Sequence, residues 1–524
     1  MRVDWLEIAD FKNLKNFRID FDESQLTTVL IGQNGTGKSN LFEALVLIFR
    51  ALDLNEDPPF GFHIRYLCRG HAVEVWTEEK GQKLGFRFKV DDTEYAKSRF
   101  IDEKNVFLPQ HVFAYYSGPS QRLAGTFDKH LEKFYKASTD GKTDELRRLF
   151  LCRGVHSHFV MLAFYAFEDA TSRKVLRDHL QVTGLDSVLF VLKKPHWYKK
   201  PGRGRPSKGA KGGDDRFFGA RGMVQDFLDH VWNCALAPLY HEESVRDDFR
   251  TQATKEERLY LFVKDQAALS KLAKGFGEPK TFFANLETTD LSDLIREVRI
   301  RVQREGMDGF LTFKELSEGE QQLLAVLGLL KFTKQEESLF LLDEPDTHLN
   351  PVWKRNYINL LREVVSLGQE SHLLMATHDP LVIGGLSRQE VRVLVRRGDG
   401  HITSMEPSED PKGMGFAGLL KSELFGLRST LDPATAKSLD RRYELVAKGG
   451  SLTSAEQSEL HDLTALLDRL GFSQEFRDPY FEQFVKAMAV QPQFKKPVFT
   501  TEERSRVADL SRKLVEKVLQ KEKV

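Results

Sequence analysis

A glycine-rich segment, GQNGTGKS, occupies residues 32–39 of this 524-residue chain and limits the folds that are open to it. The segment fits the pattern G-x-x-x-x-G-K-[ST] in full. An apolar run at residues 26–31 precedes it, and after Asn40 the sequence LFEALVLIFRAL has apolar residues at helical spacing. The pattern therefore predicts a buried strand, a glycine turn and a helix in direct succession, as in α/β proteins.

The residue types in this turn suit the binding of phosphate groups. Gly35 and Gly37 allow the backbone amides to turn inward, and the N-terminus of the following helix adds a partial positive charge. Lys38, also a candidate catalytic residue, is placed to reach the outer phosphates of ATP, and Ser39 offers a hydroxyl to Mg²⁺. The expected nucleotide contacts here are Gly32, Asn34, Gly35, Gly37, Lys38, Ser39 and Asn40.

A second motif combines an apolar strand with two carboxylates. Residues 338–342, SLFLL, have the composition of a buried strand, and Asp343, Glu344 and Pro345 follow at once. Charged groups are costly at the end of such a strand unless they bind a partner. We expect Asp343 to hold Mg²⁺, directly or through water, and Glu344 to polarise an attacking water as general base.

A third motif, LSEGEQQ at residues 316–322, opens a predicted helix. A serine, a glycine and a helix N-terminus together form an anion site. The segment resembles the LSGGQ signature of ABC-type ATPases, with Glu318 in place of a glycine. Ser317 is equally consistent with a plain helix N-cap, and this segment alone leaves both interpretations open.

The order of the motifs resembles that of ABC-type ATPases: glycine loop, LSEGE, LLDEP, DTHLN and finally THD. In that family the signature completes the ATP site of a second subunit. The resemblance implies that Ser317 and Gly319 touch the γ-phosphate held by another copy in a head-to-tail dimer. It places Asp346 at the dimer seam and makes His378 a catalytic sensor of the γ-phosphate. The alternative for His378 is a strand-end histidine without a catalytic role.

The family's glutamine loop has two candidates in this chain. Gln110 and Gln121 flank the strand-like segment 112–116, and either residue would supply one contact to Mg²⁺ and water. The sequence leaves this choice open.

The glycine motif and the signature lie far apart, which predicts one ATPase domain split by an insertion. We expect lobes at 1–125 and 306–409, an insertion at 126–305 with a basic loop at 193–213, and a helical partner-docking region at 410–524. The predicted fold class is α/β, an ABC-type P-loop ATPase head with a long, mostly helical insertion and a helical C-terminal extension. The insertion has neither coiled-coil heptads nor a CxxC zinc hook, unlike those of chromosome-maintenance ATPases.

Charge and cysteine content bear on partners and compartment. Lys plus Arg and Asp plus Glu both number 77, so contact with nucleic acid requires a local patch. The segment KKPGRGRP resembles an AT-hook, and a solvated linker is the other interpretation. The residues expected to contact DNA are Lys199, Lys200, Arg203 and Arg205. The 3 cysteines form no CxxC pair and no apolar run is long enough for a membrane, so a cytoplasmic protein is expected.

A narrower resemblance covers nearly the whole chain. NGTGKSNLFEAL, VFAYYSGPS, LSEGEQQ, LLDEPDTHLNP and MATHDPLVIGGL, with SELFG and RDPYFEQF in the tail, are similar to the ATPase subunit of Septu-type anti-phage systems, including retron-associated versions. That family acts with a small HNH nuclease subunit and forms higher oligomers. The resemblance thus implies a regulatory ATPase that controls such a nuclease. The alternative is a DNA-repair or chromosome-maintenance ATPase that clamps DNA without a nuclease partner.

The tail contains two predicted amphipathic helices. Thr453 with Glu456, and Thr500 with Glu503, form capping boxes at their starts. Each helix carries a stripe of leucine and valine on one side, which packs either on the ATPase core or on another protein. The resemblance favours docking of the nuclease subunit.

Overall fold

The computed structural model describes residues 1–81, 83–118, 123–139, 147–198, 213–246, 248, 250, 252–306, 309–333, 337–365, 371–471, 488 and 500–520. The chain divides into two compact units. The first comprises Met1–Leu30, Gly37–Thr377 and Arg396–Ser404, and the second comprises Ile31–Thr36, His378–Val395 and Met405–Val524. The domain boundaries expected from the sequence stay a prediction.

The strands are, in chain order, β1 (Arg2–Phe11), β2 (Leu14–Asp20), β3 (Thr27–Ile31), β4 (Phe62–Cys68), β5 (His71–Lys80), β6 (Lys83–Val90), β7 (Thr93–Tyr95), β8 (His111–Tyr116), β9 (Leu149–Leu151), β10 (Val182–Lys193), β11 (Leu239–Val245), β12 (Thr254–Val263), β13 (Ile295–Arg304), β14 (Phe310–Thr312), β15 (Ser338–Asp343), β16 (Ser371–Ala376), β17 (Val391–Arg396) and β18 (Ile402–Met405).

The α-helices are α1 (Lys38–Leu54), α2 (Lys97–Asp102), α3 (Lys104–Phe107), α4 (Ala124–Thr139), α5 (Val155–Phe167), α6 (Ala170–Lys174), α7 (Gly222–Cys234), α8 (Gln266–Ala273), α9 (Pro279–Leu291), α10 (Glu318–Thr333), α11 (Pro351–Val365), α12 (Pro380–Ile383), α13 (Gly415–Lys421), α14 (Pro433–Lys448), α15 (Ser454–Arg469) and α16 (Thr501–Gln520). In the ranges that the structure describes, no helix has the length and apolar content needed to cross a membrane.

Two sheets of the first unit take their strands from the lobes that the sequence predicts, except for β9, which comes from the predicted insertion. The strands β2, β1, β4, β5, β6 and β7 pair in that order as an antiparallel sheet. The strands β3, β16, β15, β8 and β9 pair in parallel. Every residue of β15 and of β16 is buried, which explains why both strands are continuous apolar runs in the sequence. The fold is thus the predicted α/β class.

The insertion contains, beside its helices, strands that the sequence did not predict. Helices α5 to α9 and most of α4 lie within residues 126–305. Four strands of this range pair with β14 of the following lobe as a five-stranded antiparallel sheet, in the order β11, β12, β10, β13 and β14. Residues far apart in the chain pair in this sheet, so local helical spacing gave no sign of it. A local sign existed, because β13 alternates buried and exposed positions over much of its length.

The helix α10 packs closely on α5 of the insertion. A Cβ atom added at Gly328 would lie 2.1 Å from a methyl carbon of Val160, so the glycine permits the two helices to approach. Val160 is fully buried. The second α/β lobe and the insertion therefore share one core in the first unit.

The second unit contains the tail helices, as expected. Asp432 caps α14 through its side chain, and Thr453 forms a complete capping box with Glu456 at the start of α15. Arg441 of α14 makes a two-pronged ion pair with Glu459 of α15, at 2.8 and 2.7 Å. A two-pronged arginine–carboxylate pair therefore links α14 to α15.

Candidate nucleotide-binding site

The carboxyl ends of four parallel strands lie side by side in the first unit. Leu30 of β3 pairs with Ala376 of β16, Ala376 pairs with Asp343 of β15, and Asp343 pairs with Tyr116 of β8. Ligands of open α/β sheets bind outside this edge. The acidic motif therefore lies at the edge where α/β proteins form their sites.

The glycine turn depends on glycine at two positions. Gly32 has φ +154°, and a Cβ atom there would lie 2.5 Å from the carbonyl oxygen of Leu394. Gly37 has φ +92°, a left-handed conformation that other residues rarely adopt, and a Cβ atom there would lie 2.7 Å from Leu14. Thr36 Oγ1 donates a 2.8 Å hydrogen bond to the Gln33 carbonyl. Backbone conformation and close packing thus account for the glycine pattern.

Lys38 begins α1 and lies close to the two carboxylates. Its side chain is buried. Burial lowers the pKa of Lys38, and the charges of Glu344 and Asp343 act in the opposite direction. The structure therefore brings together the lysine and the acidic pair that the sequence identified. Ser39 is half-buried, and Asn40 is buried and donates a hydrogen bond to Asn13.

Glu344 has a strained backbone at the end of β15. Its φ of 51° is left-handed, which costs a non-glycine residue about 1 to 2 kcal/mol. The Glu344 N–H donates to the Ala376 carbonyl at 2.9 Å, and Thr347 Oγ1 donates to the Glu344 carbonyl at 2.8 Å. Two neighbouring segments thus fix the direction in which the chain leaves the sheet. Strain of this kind is common at functional sites.

Asp346 is tied to the end of β16. Thr377 Oγ1 donates a 3.0 Å hydrogen bond to Asp346 Oδ2, and both side chains are buried. His378 is the next residue after Thr377, belongs to the second unit and is exposed. Asp379 then caps α12 by accepting from Leu381 N–H at 2.8 Å. The position of Asp346 at a dimer seam stays a prediction. The role of His378 as a sensor of the γ-phosphate also stays a prediction.

Gln110 lies at the wrong end of β8 for a glutamine-loop contact. It precedes His111, which pairs with Ser338 at the start of β15, whereas Tyr116 pairs with Asp343. Six residues of strand separate it from that edge, about 20 Å. Its side chain instead accepts from Arg69 at 3.1 Å. Gln121 lies outside the described residues, as do Lys199, Lys200, Arg203 and Arg205.

Another residue after β8 does reach the acidic motif. The N–H of Ser117 donates to the Asp343 carbonyl at 3.3 Å, and its hydroxyl lies 3.2 Å from Thr347 Oγ1. The sequence analysis did not identify Ser117. Its position directly after a strand that pairs with β15 is the only sign that would have indicated it.

Ser317 forms a capping box with Glu320 at the start of α10. Glu320 Oε2 accepts from the Ser317 N–H at 2.7 Å and from the Ser317 hydroxyl at 2.9 Å, and Ser317 Oγ accepts from the Glu320 N–H at 3.3 Å. The N-cap interpretation of Ser317 is therefore correct within one chain. The spacing S-x-x-E was a sign of this box that the sequence analysis did not use.

The signature also packs against the segment that follows the two carboxylates. A Cβ atom at Gly319 would lie 2.4 Å from the His348 carbonyl oxygen, so this position requires glycine. Gln322 donates a hydrogen bond to the Pro345 carbonyl. The anion site predicted at the N-terminus of α10 and the acidic motif are thus joined by direct contacts.

Two family models match separate ranges of the chain. Residues 1–158 match the model described as AAA ATPase domain. Residues 251–384 match the model described as AAA domain, putative AbiEii toxin, Type IV TA system. The first range holds the glycine turn, and the second holds the signature and the acidic motif.

Two named relatives share parts of the sequence. Septu protein PtuA of Bacillus mycoides (strain KBAB4) is 29% identical over 196 residues, which are 34% of this chain and 27% of that protein. Retron Vc95 probable ATPase of Vibrio cholerae serotype O1 biovar El Tor is 20% identical over 504 residues, 88% of this chain and 86% of that protein. This chain therefore spans about a quarter of the first relative and most of the second.

Solved structures include the SMC head domain from Thermotoga maritima, with a TM-score of 0.32 and 14% identity over 78% of this chain and 99% of that chain. The family models and the motifs at the sheet edge are the evidence for the class. The chain thus matches AAA ATPase models in two separate ranges and is similar in sequence to a Septu protein and to a retron ATPase, as expected of a P-loop ATPase from the AAA/ABC group.

Proposed function

We propose that this chain is the ATP-hydrolysing regulatory subunit of an anti-phage defence complex and controls a partner HNH nuclease. The observation that carries the proposal is the proximity of buried Lys38 to Asp343 and Glu344 at the carboxyl edge of the parallel sheet. Hydrolysis of a nucleoside triphosphate requires a cation that binds phosphate, a carboxylate that holds the metal ion and a carboxylate that activates water. Lys38, Asp343 and Glu344 are residues of these types. The Septu and retron relatives support the regulatory role.

The donor set fits a magnesium nucleotide. The Ser39 hydroxyl and the Asp343 carboxylate are hard oxygen ligands of the kind that Mg²⁺ prefers. Bound there, Mg²⁺ would neutralise charge on the phosphates. Lys38 binds the outer phosphates, Glu344 orients the attacking water and accepts its proton, and His378 contacts the terminal phosphate. Gly32, Asn34, Gly35, Gly37 and Asn40 shape and line the turn.

The signature completes the ATP site of a second copy in this proposal. Ser317 and Gly319 then contact the γ-phosphate in trans, and two head-to-tail sites form per dimer. Mixing Lys38→Ala chains with Ser317→Arg chains tests this, because one site of the mixed dimer has both halves intact. We expect ATPase activity to return in heterodimers purified through two different tags. No activity in verified heterodimers would indicate a site made within one chain.

The partner is tested by co-expression with a neighbouring HNH gene. Joint purification at a mass above that of either protein, with nuclease activity that changes when Glu344→Gln replaces the wild type, is the expected result. A protein that never binds an HNH subunit but retains DNA in an ATP-dependent manner would instead support the DNA-repair clamp. The genomic neighbourhood gives an inexpensive first indication.

A further inference from the structure

A polar cavity of about 350 Å³ lies beside the start of α10 in the first unit. The signature lines one side through Ser317 and Gly319, and His348 lines another. The insertion supplies the remaining wall, which includes His179 and Arg304. The insertion therefore reaches the place where the proposed head-to-tail dimer would put the phosphates of a second copy's ATP.

Arg304 is attached firmly at this wall. It is the last residue of β13 and pairs with Val182 at the start of β10. Its guanidinium donates a 2.8 Å hydrogen bond to Glu320 Oε1, and the two side chains are 24% and 8% exposed. An arginine on a strand, held by a largely buried carboxylate, loses little conformational entropy when it binds a ligand.

The capping box determines which donors remain for a phosphate. A hydroxyl has one proton, and the Ser317 hydroxyl donates it to Glu320 Oε2. A guanidinium has five N–H donors, so Arg304 can bond to Glu320 and to a phosphate together. Arg304 and the signature serine thus bond to the two oxygens of one carboxylate, and Arg304 keeps further donors for a phosphate.

We propose that Arg304 binds the terminal phosphate of the ATP held by a second copy, and that Glu320 is a positioning residue that orients it. The inference rests on the proposed head-to-tail dimer. It assigns the insertion a direct part in hydrolysis, because β13 supplies a catalytic residue to the composite site. Arg304 stabilises charge on the phosphate in the transition state, as a cation at this position does in phosphoryl transfer.

The test mixes chains that carry different substitutions. Arg304→Ala chains have an intact glycine turn, and Lys38→Ala chains have an intact Arg304, so one site of their heterodimer is complete. We expect activity several-fold above the sum of the two separate proteins. The mixture of Lys38→Ala with Ser317→Arg runs in parallel. If ATPase activity returned in the Ser317→Arg mixture but not in the Arg304→Ala mixture, the inference about Arg304 alone would be overturned. If activity returned in neither mixture, both the head-to-tail dimer and the inference would be overturned.

A second measurement distinguishes phosphate binding by Arg304 from simple neutralisation of the Glu320 charge by Arg304. Arg304→Met should lower kcat about tenfold or more with the melting temperature nearly unchanged, and Arg304→Lys should restore part of it. The double variant Arg304→Met with Glu320→Gln removes both charges and should stay as slow as Arg304→Met. A return to wild-type kcat in the double variant would show that Arg304 only neutralises Glu320 and would overturn the proposal.

Discussion

In the proposed mechanism the charges of Lys38 and Glu344 have separate tasks, so we expect their removal to have separate effects. Lys38→Ala should abolish ATP binding or hydrolysis, because it removes the cation that stabilises the phosphates. Glu344→Gln should retain binding and slow turnover about a hundredfold or more, because only water activation is lost. Equilibrium binding of a fluorescent nucleotide and phosphate release measure the two effects. Wild-type hydrolysis by Glu344→Gln would exclude this residue as the general base.

A buried histidine makes the stability of the first unit depend on pH. Burial lowers the pKa of His372 to about 3, and its Nδ1 accepts from the Val3 N–H at 3.1 Å. The unfolded chain binds a proton below about pH 6.5, whereas the folded chain does not. Stability contributed by neutral His372 is thus present above pH 6.5 and is lost as the pH falls, by about 2 kcal/mol at pH 5.

The variant His372→Asn tests this, since its side-chain oxygen can still accept from Val3. We expect a lower melting temperature than wild type at pH 7.5 and a smaller further decrease between pH 7.5 and pH 5. The matched control is His401→Asn at an exposed position, which should keep the wild-type slope. Equal slopes for wild type and His372→Asn would contradict the assignment.

Single residues differ in how far the sequence determined them. Lys38, Asp343 and Glu344 were predictable because each belongs to a motif with a fixed place on a strand or helix. The position of Gln110 was not predictable. Gln110 flanks a strand, as a glutamine-loop residue would, and only the pairing register of β8 shows that it lies at the far end of the sheet. The contact of Arg304 with Glu320 was not predictable either, since it depends on a sheet formed by distant segments.

At the scale of elements, the α15 helix leaves part of its leucine stripe uncovered. Leu467 is buried, but Leu466 is 46% exposed and Leu470 is 56% exposed. We expect the region after Asp410 to bind the partner, so its removal should spare ATP binding and abolish co-purification of the HNH subunit. In the full chain, Leu466→Asp with Leu470→Asp should have the same effect on the partner. The control is His461→Asp, an exposed polar position on the same helix.

A folded truncation that still binds the partner would contradict this assignment. The same is true of a Leu466→Asp, Leu470→Asp variant with wild-type co-purification and unchanged ATPase activity. Loss of ATP binding in the full-chain variant would show instead that the substitutions disturb the fold.

Most elements of the α/β lobes and the tail were predictable, and the insertion sheet was not. Continuous apolar runs indicated β15 and β16, and capping residues indicated α14 and α15. The insertion sheet joins strands separated by several helices, and its pairing is a tertiary property. The alternation in β13 and the apolar run in β10 were local signs of strands, but neither indicates which strands pair.

At the scale of the whole molecule, the balanced charge makes any DNA contact local. The proposed contact is the AT-hook-like loop with Lys199, Lys200, Arg203 and Arg205, which lies outside the described residues. Replacing Arg203 and Arg205 with alanine should weaken binding to A·T-rich duplex and flatten the dependence of affinity on salt. Titrations at several salt concentrations measure both. An unchanged affinity and salt slope would identify the loop as a linker.

The close approach of α10 and α5 has a mechanical consequence. Because the Val160 side chain fills the space that a side chain at residue 328 would need, neither helix can slide or roll past the other without a steric clash. The contact therefore joins the signature, which lies at the start of α10, to the insertion, to which α5 belongs. Since a close-packed core has little free volume to absorb a shift, we expect a displacement of the signature helix to be transmitted to the insertion.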